Sequence, residues 1–128
     1  MTRRYKILLV DDDRGLLEEL SEALAAAGYE VESFTDGRAA LEAAAADRPD
    51  IALVDLKMQG LDGFRTAEAL SRLEPGPPVP VVAMTGYYTR REDESRMKAS
   101  GIRACLFKPF PAETAARKLH TVLQGERR

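Results

Sequence analysis

The chain has 128 residues, of which 45% are hydrophobic and 31% are charged, and its formal net charge is −2. This composition is typical of one ordinary globular domain, and the small negative charge gives no electrostatic case for nucleic acid or an anionic membrane as the main partner. The single cysteine, Cys105, excludes an intrachain disulfide, so a reducing cytoplasm is the expected compartment.

The first part of the chain predicts two strands and two helices in alternation. Ile7–Val10 is a short apolar run, and it is followed by leucines at helical spacing. Residues 29–34 alternate apolar and polar side chains, which indicates a strand near the edge of a sheet. Thr35 or Asp36 can then cap a second helix that runs to about Ala46.

The central part of the chain continues the alternation. Ile51–Val54 is a second apolar run, and a helical pattern over about 63–73 ends at the proline-rich stretch 75–78. Val79–Met84 is a further apolar run, interrupted by Pro80. Continuous runs rich in Val, Ile and Leu fit strands of a parallel sheet that is covered on both faces.

The last part of the chain holds a polar stretch at 90–100, an apolar run at Ile102–Phe107 and a helix from about Pro111, where proline suits the first turn. Five strands and five helices in strict alternation predict an α/β fold, a doubly wound parallel sheet with helices on both faces. We expect residues 1–128 to form a single domain with a core of about 5–124 and no output domain in this chain.

Polar side chains directly follow four of the predicted strands. Because the carboxyl ends of parallel strands meet at one edge of the sheet, where ligands bind, these side chains should converge there. Crowded carboxylates repel one another at reduced dielectric unless a cation binds, and hard oxygen donors suit Mg²⁺. The residues, in chain order, are Asp11, Asp12, Asp13, Asp55, Thr85 and Lys108.

This set of side chains favours the chemistry of a phosphoryl acceptor. A carboxylate such as Asp55, held between a metal and the ammonium of Lys108, is an activated acceptor because both cations stabilise the charge of an incoming phosphoryl group. The Thr85 hydroxyl can donate a hydrogen bond to a phosphoryl oxygen. His and Cys are absent from the set, which argues against zinc.

Four segments, ILLVDDD, LVDLKMQGLDG, VVAMTG and LFKPF, together resemble the receiver domain of two-component response regulators. The resemblance covers nearly the whole chain, with the segments in order and at family-like spacing. It implies a flavodoxin-like sheet of strand order 2-1-3-4-5 and a phosphorylation-dependent signalling switch, not an enzyme with a separate substrate. The implied phosphodonor is a sensor histidine kinase or a histidine phosphotransfer protein of a phosphorelay.

The resemblance also implies a role for each acidic residue. Asp55 looks like the phosphoacceptor, and Asp12 looks like the direct Mg²⁺ ligand. Asp11 is similar to the acid that acts on the metal through water. Asp55 itself and the backbone carbonyl of Lys57 would complete the protein ligands.

The later strands carry the other implied site residues. Thr85 looks like the switch hydroxyl, and Lys108 looks like the lysine that pairs with the phosphoryl group or with Asp55. The Lys108–Pro109 peptide is expected to be cis, as is usual in the family. Gly63 matches the glycine that closes the loop after the acceptor strand.

The chain departs from the family pattern at two positions. Gln59 stands where proline is usual, which should loosen that loop without stopping the chemistry. Cys105 stands where an aromatic residue is common, and that aromatic normally turns inward when the threonine moves. Phe107 faces the opposite side of its strand by alternation, so Tyr87 is the candidate replacement as a switch or shielding residue.

Several residues also have a plainer interpretation. Asp13 is the best placed of the three aspartates to cap the first helix. Cys105 is more simply a small buried hydrophobe than a redox sensor, and His120 is read as a solvent-facing helix residue. The polar helix at 89–100 is most often just a solvated face, but in receivers it forms an output face with the last helix. An unknown partner or a phosphorylation-linked dimer could dock there.

Two rival functions are weighed against the switch. A Mg²⁺-dependent phosphatase or phosphotransferase of the aspartyl-phosphate type usually has a second acid two residues after its nucleophile, where this chain has Lys57. A receiver-like binding module that is never phosphorylated would not need Asp55, Thr85 and Lys108 together. The switch is therefore preferred.

Overall fold

The computed structural model describes residues 4–58, 62–86 and 91–126, and within these ranges five strands alternate with five helices. The strands are β1 (Lys6–Val10), β2 (Glu30–Phe34), β3 (Ile51–Asp55), β4 (Val81–Thr85) and β5 (Ile102–Phe107). The helices are α1 (Arg14–Ala26), α2 (Gly37–Ala46), α3 (Gly63–Ser71), α4 (Arg91–Ala99) and α5 (Ala112–Glu126). Each helix follows the strand of the same number, as predicted.

The strands form one parallel sheet in the order β2-β1-β3-β4-β5. This arrangement confirms the doubly wound α/β fold and the strand order that the family resemblance implies. Leu9 in β1 lies between Ser33 in β2 and Leu53 in β3. The inner strands β1, β3 and β4 are buried along their whole length, whereas β2 at the edge has partly exposed residues, as its alternating pattern predicts.

Two apolar layers cover the two faces of the sheet. On one face, Ile7 of β1 lies in a core cluster with Leu20 of α1 and Leu119 of α5. On the other face, Leu8 lies in a second cluster with Leu70 of α3. Each fully buried leucine contributes about 1.5–3 kcal/mol of transfer free energy, so these layers hold the strand ends in fixed positions. Among the described helices, none has the length and apolarity that a bilayer crossing requires.

Aspartates begin three of the helices. The side chains of Asp13, Asp36 and Asp62 accept hydrogen bonds from backbone N–H groups in the first turns of α1, α2 and α3, at 3.2, 3.1 and 2.8 Å. Asp13 is thus the cap predicted for α1, and of the two candidates for α2 the structure uses Asp36. Each cap satisfies a donor that the helix itself leaves unpaired.

β4 is shorter than the predicted apolar run. Val79 and Pro80 are buried but precede the strand. The Val79 N–H donates to the Leu70 carbonyl of α3 at 3.2 Å, and Pro80 has no N–H to give to a neighbouring strand. Both residues therefore belong to the connection between α3 and β4. In the same way, α5 begins at Ala112, one residue after the proline predicted to open it.

Two cations tie together the amino ends of the strands. Lys6 has a side chain only 8% exposed, and it pairs with Glu32 of β2 and, at 2.7 Å, with Asp47 after α2. Arg48 donates to backbone carbonyls of the connection between α3 and β4, among them that of Pro75 at 2.6 Å. These contacts close the end of the sheet opposite the aspartates that follow β1 and end β3.

Candidate functional site

Three aspartates meet at the carboxyl edge of the sheet. Asp11 and Asp12 follow β1, and Asp55 is the last residue of β3, which neighbours β1. One carboxylate oxygen from each residue lies within 4.8 Å of the other two. Asp11 and Asp55 are buried and Asp12 is exposed, so the cluster reaches solvent through Asp12.

Asp11 is held by hydrogen bonds at both of its oxygens. Oδ1 accepts from the Asp13 N–H at 2.9 Å, and Oδ2 accepts from Lys108 Nζ at 2.7 Å. The Asp11 side chain is completely buried, and a buried carboxylate needs such partners. The turn that makes Asp13 the cap of α1 therefore also orients Asp11.

Asp55 lies in surroundings that disfavour its negative charge. Burial is the main cause that raises the pKa of Asp55 to about 6, and the charges of Asp11 and Asp12 raise it further. Two contacts act in the opposite direction. The Lys57 N–H donates a hydrogen bond to Asp55 Oδ1 at 3.1 Å, and the Lys108 ammonium attracts the carboxylate. Because a pKa of about 6 lies below neutral pH, most of the Asp55 carboxylate is ionised at neutrality. The site thus holds a charged carboxylate at the end of a buried strand.

Lys108 brings a positive charge to the carboxylates. Its Nζ lies 2.7 Å from Asp11 Oδ2 and 3.6 Å from Asp55 Oδ2. Burial lowers the pKa of Lys108, but the hydrogen bond to Asp11 and the charges of Asp11 and Asp55 more than offset this, so the pKa is raised. The lysine expected beside Asp55 is therefore hydrogen-bonded to Asp11 and stands farther from Asp55.

The ends of β4 and β5 bring two further residues to this edge. Thr85 is buried, and its carbonyl oxygen accepts from the Lys108 N–H at 2.8 Å. The Lys108–Pro109 peptide is cis. The structure thus gathers at one edge the residues that follow or end four strands, namely Asp11, Asp12, Asp55, Thr85 and Lys108.

The chain after β3 folds back closely on the strand end. α3 begins at Gly63, where a Cβ atom would lie 2.0 Å from the Asp55 carbonyl oxygen, so only glycine fits. Asp62, directly before it, lines an open cleft of about 360 Å³ together with Asp12 and Lys57. The cleft gives a small molecule or a partner side chain access to the Asp12 carboxylate.

The aspartate cluster has the donor set of a site for a hard divalent cation. Its three donors are carboxylate oxygens, and Lys108 neutralises only part of their charge. Oxygen donors with open access suit Mg²⁺, which usually keeps several water ligands. Asp11, Asp12 and Asp55 therefore fit the cation that the family resemblance implies.

The remaining residues singled out in the sequence lie away from the cluster or outside the described ranges. Tyr87 and Gln59 are outside the described residues. Cys105 is half-buried in β5, packs against the core layer beneath α2, α3 and α4, and has a thiol pKa that burial raises. Phe107 is 56% exposed, and His120 is exposed on α5.

One contact near the site was not anticipated from the sequence. The Arg96 guanidinium of α4 stacks on the ring of Phe64 in α3, and its Nη2 lies 3.6 Å from Asp62 Oδ2. The Asp62–Gly63 pair was a readable signal for the start of a helix. No local pattern shows that residue 96 reaches it, because the contact depends on how two helices pack side by side.

Comparisons with known proteins agree with this architecture. A model of the response regulator receiver domain matches residues 7–120. The response regulator MprA of Mycolicibacterium vanbaalenii is 35% identical over 119 residues, which make up 93% of this chain and 50% of that protein. The same protein of Mycobacterium leprae is also 35% identical over 119 residues. The chain thus spans about half the length of the curated relatives it matches.

Solved structures show the same fold. The chemotaxis protein CheY4 of Vibrio cholerae is 34% identical with a TM-score of 0.87, and the match covers 94% of this chain and 99% of that one. A CheY-like receiver domain protein from Methanospirillum hungatei is 27% identical with a TM-score of 0.87, and the match covers 98% of each chain. Since the family model spans most of its length, this chain belongs to the receiver domain family of two-component response regulators.

Proposed function

We propose that Asp55 accepts a phosphoryl group from a sensor histidine kinase or a histidine phosphotransfer protein. A carboxylate oxygen of Asp55 forms a P–O bond while the N–P bond of the donor breaks, so the phosphoryl group passes from an imidazole nitrogen to an acyl phosphate. In this proposal the protein is a switch that catalyses only its own phosphorylation and dephosphorylation. It has no separate substrate.

The observation that carries the proposal is the environment of Asp55. Its carboxylate is buried among like charges, and a lysine ammonium lies 3.6 Å away. A fixed cation at that distance stabilises the charge that a phosphoryl group would bring. An aspartate in such surroundings destabilises the folded protein, so stability does not explain its presence. Carboxylates with perturbed pKa values are enriched at functional sites.

Asp11, Asp12, Asp55 and the backbone carbonyl of Lys57 are the proposed Mg²⁺ ligands. Bound Mg²⁺ would supply positive charge next to the phosphoryl oxygens. Asp12 is exposed, so its carboxylate can exchange a hydrating water for a metal ion without rearrangement of the protein. Both oxygens of Asp11 already accept hydrogen bonds, and this supports an indirect role for Asp11 through water.

Thr85 and Lys108 are the proposed partners of the phosphoryl group on Asp55. Lys108 stands between two carboxylates, and a small movement of its flexible side chain would bring it closer to Asp55. The Thr85 hydroxyl would donate to a phosphoryl oxygen. With cysteine at 105, Tyr87 is the proposed substitute for the aromatic of the family switch.

The output of the switch would be a change of binding surface. We assign the docking of an unknown output protein or domain to the helix at 89–100 and the last helix, and phosphorylation-linked dimerisation is the alternative use of that face. The cytoplasm is the proposed location, because the implied phosphodonors act there. Residues 1–128 would act as a single receiver domain.

Intact-mass measurement after incubation with acetyl phosphate tests the proposal. We expect one phosphoryl adduct on the wild-type protein with Mg²⁺ and none with a chelator. Asp55→Asn should abolish the adduct. Asp36→Asn should leave it unchanged, because Asp36 is an exposed cap of α2 and asparagine caps a helix equally well.

Two outcomes would contradict the proposed function. One is an adduct that persists in Asp55→Asn, which would place the chemistry on another residue. The other is a folded wild-type protein that takes no phosphoryl group from acetyl phosphate or from a phosphorylated histidine protein. That result would favour the binding module that is never phosphorylated.

A further inference from the structure

A contact between three side chains joins α4 to the start of α3. The guanidinium carbon of Arg96 lies 4.1 Å from the centre of the Phe64 ring, and Arg96 Nη2 lies 3.6 Å from Asp62 Oδ2. Arg96 is in the last turn of α4, whereas Asp62 and Phe64 stand at the first turn of α3. We call these three residues the α3–α4 latch.

Asp62 contacts Arg96 and also lies next to the carboxylate site. Its Oδ1 accepts from the Arg65 N–H at 2.8 Å, and the residue lines the same open cleft as Asp12. The next residue, Gly63, leaves no room for a side chain against the Asp55 carbonyl oxygen. A displacement at the end of β3 would therefore move Gly63 and, with it, the adjacent Asp62.

The latch is weak enough to open. The side chains of Arg96 and Asp62 are 52% and 38% exposed, so water screens their attraction. One exposed cation–π contact and one exposed ion pair each change an equilibrium by roughly threefold, not by orders of magnitude. A moderate change at the carboxylate site can therefore release Arg96, whereas the buried core beneath it would not respond.

We propose that Arg96 is a positioning residue that couples the loop after Asp55 to α4. It is docked on Phe64 and Asp62 when Asp55 is unmodified, and it is released when Asp55 carries a phosphoryl group. This inference rests on the proposed function, because phosphorylation is the event that the latch transmits. It gives α4 a connection to the site that does not pass through residue 105.

Hydrogen exchange at the end of α4 tests the latch. The Ser100 N–H donates to the Arg96 carbonyl at 2.9 Å, so its exchange rate reports the order of that turn. In the wild-type protein, phosphorylation with acetyl phosphate and Mg²⁺ should speed this exchange by roughly threefold to tenfold. Arg96→Gln should show the faster rate before phosphorylation and no further change afterwards.

Two matched variants separate the latch from general effects on the helix. Lys98→Gln removes an exposed cation from the same turn of α4, and it should respond to phosphorylation as the wild type does. Asp62→Asn keeps the cap of α3 but removes the charge that faces Arg96. Its effect on unphosphorylated exchange should be non-additive with Arg96→Gln in a double-mutant cycle.

The adduct on Asp55 is measured by intact mass in the same samples. An adduct on the wild type without faster Ser100 exchange would overturn the latch and leave the proposed function standing. The latch would equally fail if Arg96→Gln behaved as Lys98→Gln does. No adduct on the folded wild type would overturn the proposed function and the latch together.

Discussion

Asp55→Asn should make the metal-free protein more stable at neutral and alkaline pH. The pKa of Asp55 is raised from 3.8 to about 6, mainly by burial and also by the charges of Asp11 and Asp12. Two pH units correspond to about 3 kcal/mol, since one unit is worth about 1.4 kcal/mol. The cluster opens to water through Asp12, so we expect a gain in unfolding free energy of about 1–2 kcal/mol.

The gain should depend on pH in a defined direction. Because the folded-state pKa of Asp55 lies above the unfolded value, folding takes up a proton between pH 3.8 and about 6. The wild-type protein therefore carries the full cost of the charge above pH 6 and loses that cost as the pH falls through 6. The difference between Asp55→Asn and wild type should be largest above pH 6 and should shrink towards pH 4.

Urea unfolding in the presence of a chelator, at about pH 7.5 and about pH 4.5, measures this difference. Asp36→Asn is the matched control, because it removes an exposed aspartate while keeping the cap of α2. A stability of Asp55→Asn at pH 7.5 equal to or below that of the wild type would refute the reasoning. A gain of the same size at both pH values would refute it as well, since the effect would then not come from the charge.

Three further changes have defined outcomes. Mg²⁺ at about ten times its dissociation constant should raise the unfolding free energy of the wild type by about 1.4 kcal/mol. The increase should be smaller for Asp12→Asn. Urea titrations with and without the metal measure both values. Gly63→Ala should lower the unfolding free energy by more than about 3 kcal/mol and slow phosphorylation, because the added Cβ would clash with the Asp55 carbonyl oxygen. Gly125→Ala is the control for thermal unfolding. Its Cβ would meet no atom within 4 Å, so the change should be neutral or slightly stabilising. Lys6→Met removes two ion pairs and should lower the unfolding free energy, measured in urea, by about 1–2 kcal/mol. The loss stays this small because both carboxylate partners are partly exposed and can be solvated by water; an unchanged unfolding free energy would show that the ion pairs add nothing to stability beyond the packing of the side chain.

The architecture could be predicted because its determinants are local. Apolar runs at β1, β3 and β4 are continuous since these strands are covered on both faces, and the alternating pattern of β2 follows from its place at the edge. The candidate site residues could be located for a similar reason. Each stands at or directly after the end of a strand, and parallel strands bring their carboxyl ends to one edge.

The contacts that could not be predicted join residues far apart in the chain. Lys108 pairs most closely with Asp11, 97 positions away, and Lys6 pairs with Asp47, 41 positions away. Which carboxylate a lysine selects depends on differences of about an ångström between side-chain positions, which composition and periodicity do not encode. The stacking of Arg96 on Phe64 likewise depends on the relative placement of α3 and α4.

The uneven charge count at the carboxyl edge has a consequence for when the proposed switch can operate. Three carboxylates meet there, and the ammonium of Lys108 offsets only part of their negative charge, so this surplus of negative charge repels an anionic phosphodonor. A divalent cation would cancel that surplus before the donor arrives. The receiver would then act as a coincidence detector, responding only when a phosphorylated partner and a free divalent cation are present together.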